Sequence, residues 1–152
     1  MLKMRLKRRD RQRGFTLTEI MVAVFIIGLL TTVVVLNIDG VVGQSRVTKA
    51  QGDLKAFQGG LSAYNLEIAA YPTEQQGLDA LVQAPDGLNN PALYRAGGYL
   101  ATSKIPLDPW NNPYVYEVPG ENGRPYNVYT LGADGREGGE GDNRDISIWD
   151  LY

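Results

Sequence analysis

The feature that most constrains this chain is a long apolar run that begins at residue 15, directly after a basic head. Residues 15–36 are 22 positions with one charged side chain, Glu19. At about 1.5 Å per residue, a helix of this length spans the roughly 30 Å hydrocarbon core of a bilayer. The first 13 positions hold seven basic residues and one acidic residue, and the positive-inside rule keeps such a head in the cytoplasm. The run therefore predicts a single-pass membrane helix, with the rest of the chain on the opposite side.

An ordinary cleaved signal peptide is the alternative interpretation of this segment. Its apolar part is about 7–15 residues long and is followed by a small-x-small cleavage site. The run in this chain is longer, and Val41-Val42-Gly43 is a poor site of that kind. We therefore favour a retained membrane helix.

A periodic pattern extends the helix beyond the apolar run. Its apolar residues are spaced alternately by three and four positions, which is typical of one helical stripe that faces a core. They are Val47, Ala50, Leu54, Phe57, Leu61, Tyr64, Ile68 and Tyr71. Pro72 ends the pattern, because the residue before a proline avoids helical geometry. One long helix is predicted from about residue 15 to about residue 70, weakest near Gly40, where poor helix formers cluster.

The remainder of the chain predicts a small α+β head. Thr73 and Gln76 form a capping box that opens a short second helix, which Pro85 closes. Residues 86–98 are rich in Gly, Asn and Pro and are predicted to be a loop. Segments 114–118 and 126–131 are predicted to form an antiparallel hairpin through a turn at 119–123, and residues 146–149 a third strand.

The composition limits the chemistry that the chain can perform. It has no cysteine and no histidine, so disulfides, thiol chemistry and the commonest general base are excluded. Any metal must be a hard cation on oxygen ligands. A membrane-anchored enzyme stays an alternative, but no Ser-Lys pair or carboxylate pair in a helix or strand supports it.

The start of the apolar run carries a specific motif. Gly14-Phe15-Thr16-Leu17-Thr18-Glu19, after a basic leader and before an apolar helix, resembles the processing site of type IV pilins and pseudopilins. The resemblance implies that a prepilin peptidase cuts between Gly14 and Phe15 and N-methylates the new Phe15 amine. Because the basic leader would then be removed, we do not expect nucleic-acid binding.

Glu19 requires an explanation, because a charged side chain within a membrane helix is costly. One interpretation places it near the helix end, where it reaches the lipid headgroups. The other follows from cleavage, which creates an ammonium group at Phe15 about one helical turn away. In a bundle of such helices, Glu19 of one subunit would neutralise the Phe15 amine of its neighbour and set the axial stagger.

Three segments of the head narrow the resemblance to major pseudopilins of type II secretion systems. They are residues 71–78, residues 107–114, and Leu131-Gly132-Ala133-Asp134-Gly135 with its continuation to Trp149. The chain departs from the family pattern at three positions: Leu36 stands where many members have proline, Asn111 replaces a usual glycine, and Glu74 replaces a usual threonine. Trp110 and Trp149 are predicted to be packing aromatics.

The segment 134–145, which we call the acidic loop, holds five carboxylates and two arginines. A Ca²⁺ ion would collect its oxygens at about 2.3–2.6 Å and order it. Helices do not flank the loop, and Arg136 and Gly138 occupy ligand positions of an EF-hand, so that motif is not expected. The alternative is a solvated acidic loop, but the resemblance implies calcium. The expected ligands are the side chains of Asp134, Asp142 and Asp145 with the backbone carbonyls of Leu131 and Arg136, and Asn143 is able to replace one of them.

The resemblance also implies the architecture and the role. We expect a type IV pilin-like α+β fold with a cleaved leader (1–14), a transmembrane and filament-core helix (15–36) and a periplasmic head (37–152). The implied function is a structural subunit of a helical filament that drives folded proteins across the outer membrane. The implied partners are further copies of the chain, minor pseudopilins, the inner-membrane assembly platform, the prepilin peptidase and the membrane. A type IV pilus subunit, which usually carries a cysteine pair, and a minor pseudopilin are the alternatives.

Overall fold

The computed structural model describes residues 14–151, and the side chains of residues 33–41 lie outside that description. Apart from Gly14, the predicted leader also lies outside the described residues. The first element is the helix α1, Leu17–Ile68, with 52 residues, which confirms the predicted long helix to within two or three residues at each end. Its backbone stays helical through Leu36 and Gly40. It ends where Ala69 adopts a φ of 63°.

The chain divides into two compact units, Met1–Gly40 and Val41–Tyr152. In the first unit, every described side chain from Gly14 to Thr32 is exposed. The hydroxyls of Thr31 and Thr32 donate to the carbonyls four residues earlier, at 2.8 and 3.0 Å. Over the described residues, no helix meets the length and hydropathy needed to cross a membrane. The predicted span extends to residue 36, so its last side chains lie outside the description.

The second unit has a core built on the predicted stripe of α1. Ala50, Leu54, Phe57, Leu61 and Tyr64 are buried, at most 1% exposed, and the three other members of the stripe are partly buried against them. The Phe57 and Tyr114 rings meet edge to face, with centroids 5.0 Å apart. The predicted stripe is therefore confirmed as the face of α1 that packs in the core.

The sheet has three antiparallel strands in the order β1-β2-β3. They are β1 (Val115–Glu117), β2 (Asn127–Thr130) and β3 (Ile146–Ser147). Val115 lies opposite Tyr129, and Tyr129 lies opposite Ser147 on its other side. The predicted hairpin and third strand are confirmed, although β3 is shorter than predicted and passes into a 3-10 helix, Ile148–Leu151.

The predicted short second helix is the main correction, because it is a 3-10 helix that ends at Leu81 and does not extend to Pro85. Both hydrogen bonds of the capping box are present, from Thr73 N to Gln76 Oε1 at 2.9 Å and from Gln76 N to Thr73 Oγ1 at 3.3 Å. However, Gly77 adopts a φ of 59°, which interrupts right-handed helical geometry directly after the box. A turn and a 3-10 helix, Leu78–Leu81, follow in place of an α-helix. Further 3-10 helices lie at Pro91–Leu93, Glu121–Gly123 and Gly141–Asn143.

Candidate functional site

The start of α1 is closed by a reciprocal capping box. Glu19 Oε2 accepts hydrogen bonds from Thr16 N and Thr16 Oγ1, both at 2.8 Å. Glu19 N donates back to Thr16 Oγ1 at 3.3 Å. These bonds satisfy backbone donors that a helix start otherwise leaves unpaired. In the single chain, therefore, the Glu19 carboxylate has a local partner at the helix start.

Thr16 is a residue of the helix cap that was not among the predicted site residues. The pattern Thr16-x-x-Glu19 before an apolar run is itself a capping-box signal. Gly14, on the amino side of the predicted cut, is exposed and a Cβ placed there would meet nothing within 4 Å. The predicted cleavage position is thus not blocked by any described part of the chain.

The acidic loop leaves the sheet through a narrow neck. Ala133 N donates to Asp142 O at 2.9 Å, which closes the loop at its base. Gly132 adopts a φ of 64°, and a Cβ at this position would lie 2.7 Å from Asp142 O. Only glycine fits such a left-handed and closely approached position without displacement of the backbone. The neck brings the two arms of the loop together.

Asp134 and Asp145 both point their carboxylates at the loop's own backbone. Asp134 Oδ1 accepts from Arg136 N at 3.1 Å, and Asp145 Oδ2 accepts from Gly138 N at 2.8 Å. The second oxygen of Asp145, Oδ1, is buried and has no hydrogen-bond partner among the described residues. A buried carboxylate oxygen without a donor is rare in proteins, and a bound water or ion is one way to satisfy it.

The structure places Asp142 differently from the other two predicted ligands. Its Oδ2 lies 3.4 Å from Arg46 Nη1 on α1, and its Oδ1 faces Gly43. Asn143 lies at the neck, where its carbonyl approaches Gly139. Among the described residues, no three carboxylates are placed to hold one metal ion. The described part of the chain thus does not bring the three predicted carboxylates, Asp134, Asp142 and Asp145, together.

An acidic recess lies beside the loop, against the sheet. Its lining includes the carboxylates of Glu117, Glu121, Glu137, Asp145 and Asp150. Tyr129, on β2, donates its hydroxyl to Glu117 Oε1 at 2.9 Å. Burial, followed by this hydrogen bond and the neighbouring carboxylates, raises the pKa of Tyr129 to about 12. The five carboxylates make this side of the head acidic.

Comparison with known proteins identifies the family. The family model for the type II secretion system protein G matches residues 37–149, and the model for the prokaryotic N-terminal methylation motif matches residues 9–35. A type II secretion system core protein G of Pseudomonas aeruginosa is 49% identical over 93% of this chain and 98% of its own length. The chain belongs to the type II secretion system protein G family.

Other members of the protein G family agree with this assignment. The core protein G of Vibrio cholerae is 44% identical over 96% of this chain and 97% of its own length. The crystal structure of the major pseudopilin from the type 2 secretion system of enterohaemorrhagic Escherichia coli has a TM-score of 0.57 and 34% identity, covering 70% of this chain and 88% of that one. The predicted pseudopilin fold and family are confirmed, and the type IV pilus alternative is not favoured. Family membership implies a structural, membrane-anchored periplasmic protein that assembles with other components of the secretion system.

One oxygen of the acidic loop is suited to a cation of the kind that the protein G resemblance implies. Ca²⁺ takes six to eight oxygen ligands and accepts backbone carbonyls and waters beside carboxylates. The loop offers two carboxylates, Asp134 and Asp145, and the resemblance implies the backbone carbonyls of Leu131 and Arg136 beside them. The buried and unpaired Oδ1 of Asp145 is the observation that favours a cation here.

Proposed function

We propose that this chain is the filament-forming subunit of the periplasmic pseudopilus, and that growth of this filament drives folded proteins across the outer membrane. The observation that supports the proposal most strongly is the exposure of the first half of α1. The large apolar side chains described between Leu17 and Leu30 are 49–80% exposed in the single chain. A surface of this size requires a cover, and lipid before assembly and like helices within a filament are covers of matching chemistry.

The proposal includes a processing step. A prepilin peptidase cleaves between Gly14 and Phe15 and methylates the Phe15 amine, so that the leader is lost on the cytoplasmic side. The precursor is a single-pass inner-membrane protein with its head in the periplasm. The match of the methylation motif to residues 9–35 supports this step.

Glu19 links processing to assembly. Before cleavage, Thr16 is its partner at the helix start. After cleavage, the Phe15 ammonium of a neighbouring subunit offers an opposite charge, which is a stronger partner than a hydroxyl in a setting without water. This exchange of partners sets the axial stagger of the filament. The capping box thus holds the carboxylate in an ordered position until the neighbour arrives.

The acidic loop is the proposed calcium site. Asp134 and Asp145 would hold the ion through side-chain oxygens, with the backbone carbonyls of Leu131 and Arg136. Asp142 would complete the set after release from Arg46, or Asn143 would replace it. The ion supplies positive charge that offsets the repulsion between the carboxylates and orders a glycine-rich segment. The bond from Ala133 N to Asp142 O closes the neck of this proposed site.

Complementation tests the filament proposal. The native copy of the gene is deleted, the chain or a variant is expressed in its place, and secretion and sheared filaments are measured. The wild-type chain should restore both secretion and filaments that contain it, together with the minor pseudopilins. Two substitutions at one position of the exposed helix form a matched pair. Ile26→Arg should abolish filaments, whereas Ile26→Leu should retain them. Normal filaments from Ile26→Arg would contradict a packed helical core.

A further inference from the structure

A buried carboxylate, Asp108, lies at the base of the acidic loop but outside it. Asp108 is 5% exposed, and its Oδ1 accepts hydrogen bonds from Trp110 N at 3.0 Å and Asn112 N at 2.7 Å. Its Oδ2 accepts from the hydroxyl of Thr130. These donors satisfy a charge that is otherwise costly to bury. The carboxylate therefore has a fixed orientation, with one oxygen committed to Thr130.

Thr130 passes this orientation on to the loop. It is fully buried at the end of β2, and its hydroxyl has a single hydrogen to donate. Because that hydrogen goes to Asp108, the oxygen is left to act as an acceptor. Gly132 N donates to it at 3.2 Å. By accepting the hydroxyl hydrogen, the Asp108 carboxylate orients the Thr130 oxygen to accept a hydrogen bond from Gly132 N.

The hydrogen bond at Gly132 fixes the direction of a predicted ligand. The Leu131–Gly132 peptide is planar, and in a trans peptide the N–H and C=O groups point in opposite directions. With Gly132 N–H held on Thr130, the Leu131 carbonyl is held pointing away from it. This carbonyl oxygen is the one that Leu131 would contribute to the proposed ligand set. The peptide cannot rotate without the loss of a buried hydrogen bond.

The next peptide is held from the other side. Asn112, whose backbone N–H is bound to Asp108, donates its side-chain Nδ2 to Gly132 O at 2.8 Å. Ala133 N, in that same peptide, donates to Asp142 O and closes the neck. Asp108 therefore acts on both peptides that flank Gly132, one through Thr130 and one through Asn112.

We infer that Asp108 and Thr130 are positioning residues for the calcium site, which pre-orient the Leu131 carbonyl before the ion binds. This inference rests on the calcium site of the proposed function. Neither residue binds the ion, and both act through the backbone at Gly132. Groups that orient metal ligands in this way typically change metal affinity by about 10- to 100-fold when they are removed.

Titration of the full-length chain in detergent micelles with Ca²⁺ alone tests the inference. The dissociation constant is measured by isothermal calorimetry well below the unfolding transition, so that loss of stability by itself does not change it. Thr130→Val replaces the hydroxyl with a methyl of similar size and should weaken calcium binding about 10- to 100-fold. Thr130→Ser keeps the hydroxyl and should restore most of the affinity. Asp108→Asn should resemble Thr130→Val, and because it is more disruptive to the fold, the decision rests on Thr130.

Tyr116→Phe is the matched control. This substitution also removes a hydroxyl with a backbone partner. The hydroxyl of Tyr116 donates to Pro72 O at 2.8 Å, and Pro72 lies outside the acidic loop. Its calcium affinity should equal that of the wild type. If Thr130→Val binds Ca²⁺ as tightly as the wild type, the positioning role is wrong and the calcium site stands. If the wild-type chain takes up no Ca²⁺, the calcium site itself is wrong and the inference falls with it.

Discussion

Gly138 donates its backbone N–H to Asp145 Oδ2 at 2.8 Å across the acidic loop, while the other oxygen of that carboxylate is buried and finds no partner in the part of the chain that the structure describes. This bond ties the middle of the loop to its last residue and turns one carboxylate oxygen inward. The same loop is closed at its base by the bond from Ala133 N to Asp142 O. Hydrogen bonds of its own backbone therefore shape the loop. Asp145 Oδ1 is an acceptor in it that has no donor among the described residues.

The first prediction concerns the core that carries the head. Leu54 is fully buried and Leu66 is 84% exposed on the same helix. Leu54→Ala should lower the free energy of unfolding by about 2–5 kcal/mol, because it removes transfer energy and leaves a cavity. Leu66→Ala should change it by no more than about 0.5 kcal/mol. Denaturant titration of the full chain in micelles compares the two, and equal losses would contradict the assignment of the buried face.

The residues of this face show how much the sequence alone could predict. The stripe from Val47 to Tyr71 was predictable because helical periodicity is local, and the capping box at Thr73 was predictable for the same reason. The helix predicted after that box is only a short 3-10 helix, Leu78–Leu81, because Gly77 adopts a positive φ that glycine readily permits. The side-chain contacts at and near the base of the acidic loop join residues that are far apart in the chain. Asp108 and Thr130 are 22 residues apart, and Arg46 and Asp142 are 96 residues apart. No local pattern contains such contacts.

The second prediction concerns processing. Mature protein from membranes should begin at an N-methylated Phe15, and Gly14→Leu should leave uncut precursor, because a small residue permits close approach by the peptidase. Gly28→Ala is the control, since it also lies in the exposed part of the chain with nothing within 4 Å of an added Cβ. Mass spectrometry distinguishes the forms. An intact leader on the wild-type chain, or a cut after Gly43, would remove the basis of the processing proposal.

The third prediction separates the two roles of Glu19. Glu19→Gln keeps an acceptor for the capping box but removes the charge, whereas Thr16→Val removes the hydroxyl of the box and keeps the charge. If the charge pairs with the neighbouring Phe15 amine, Glu19→Gln should insert normally and form few or misaligned filaments. Thr16→Val should assemble close to normally. Glu19→Asp, with its shorter reach, should be intermediate.

Sheared filaments and secretion are the measurements for this set. Normal assembly by Glu19→Gln would contradict charge pairing. A defect in Thr16→Val as severe as that in Glu19→Gln would assign the effect to the helix cap instead.

The fourth prediction concerns the raised pKa of Tyr129. Its folded-state pKa of about 12 lies above the value of about 10 expected for an unfolded chain. The protonated tyrosine therefore stabilises the fold below pH 10, and this contribution is lost as the pH rises from about 10 to about 12. Tyr129→Phe should show a shallower loss of stability over that interval. A residual loss should remain, because burial also raises the pKa of Tyr114 and Tyr116. Parallel curves for wild type and variant would contradict the assignment.

The last prediction concerns calcium and the stability of the head. The loop carries five carboxylates against two arginines, and its glycines make ordering entropically costly. An ion that binds only the folded chain stabilises it by about 2.7 kcal/mol at a hundredfold excess over its Kd. The full chain should therefore melt at a higher temperature in Ca²⁺ than in chelator, with a smaller effect of Mg²⁺, which demands stricter geometry. Asp134→Ala and Asp145→Asn should each abolish most of this shift, whereas Asp86→Asn, an exposed carboxylate outside the loop, should retain it. Identical melting of the wild type in calcium and in chelator would mean that the loop is a solvated acidic surface.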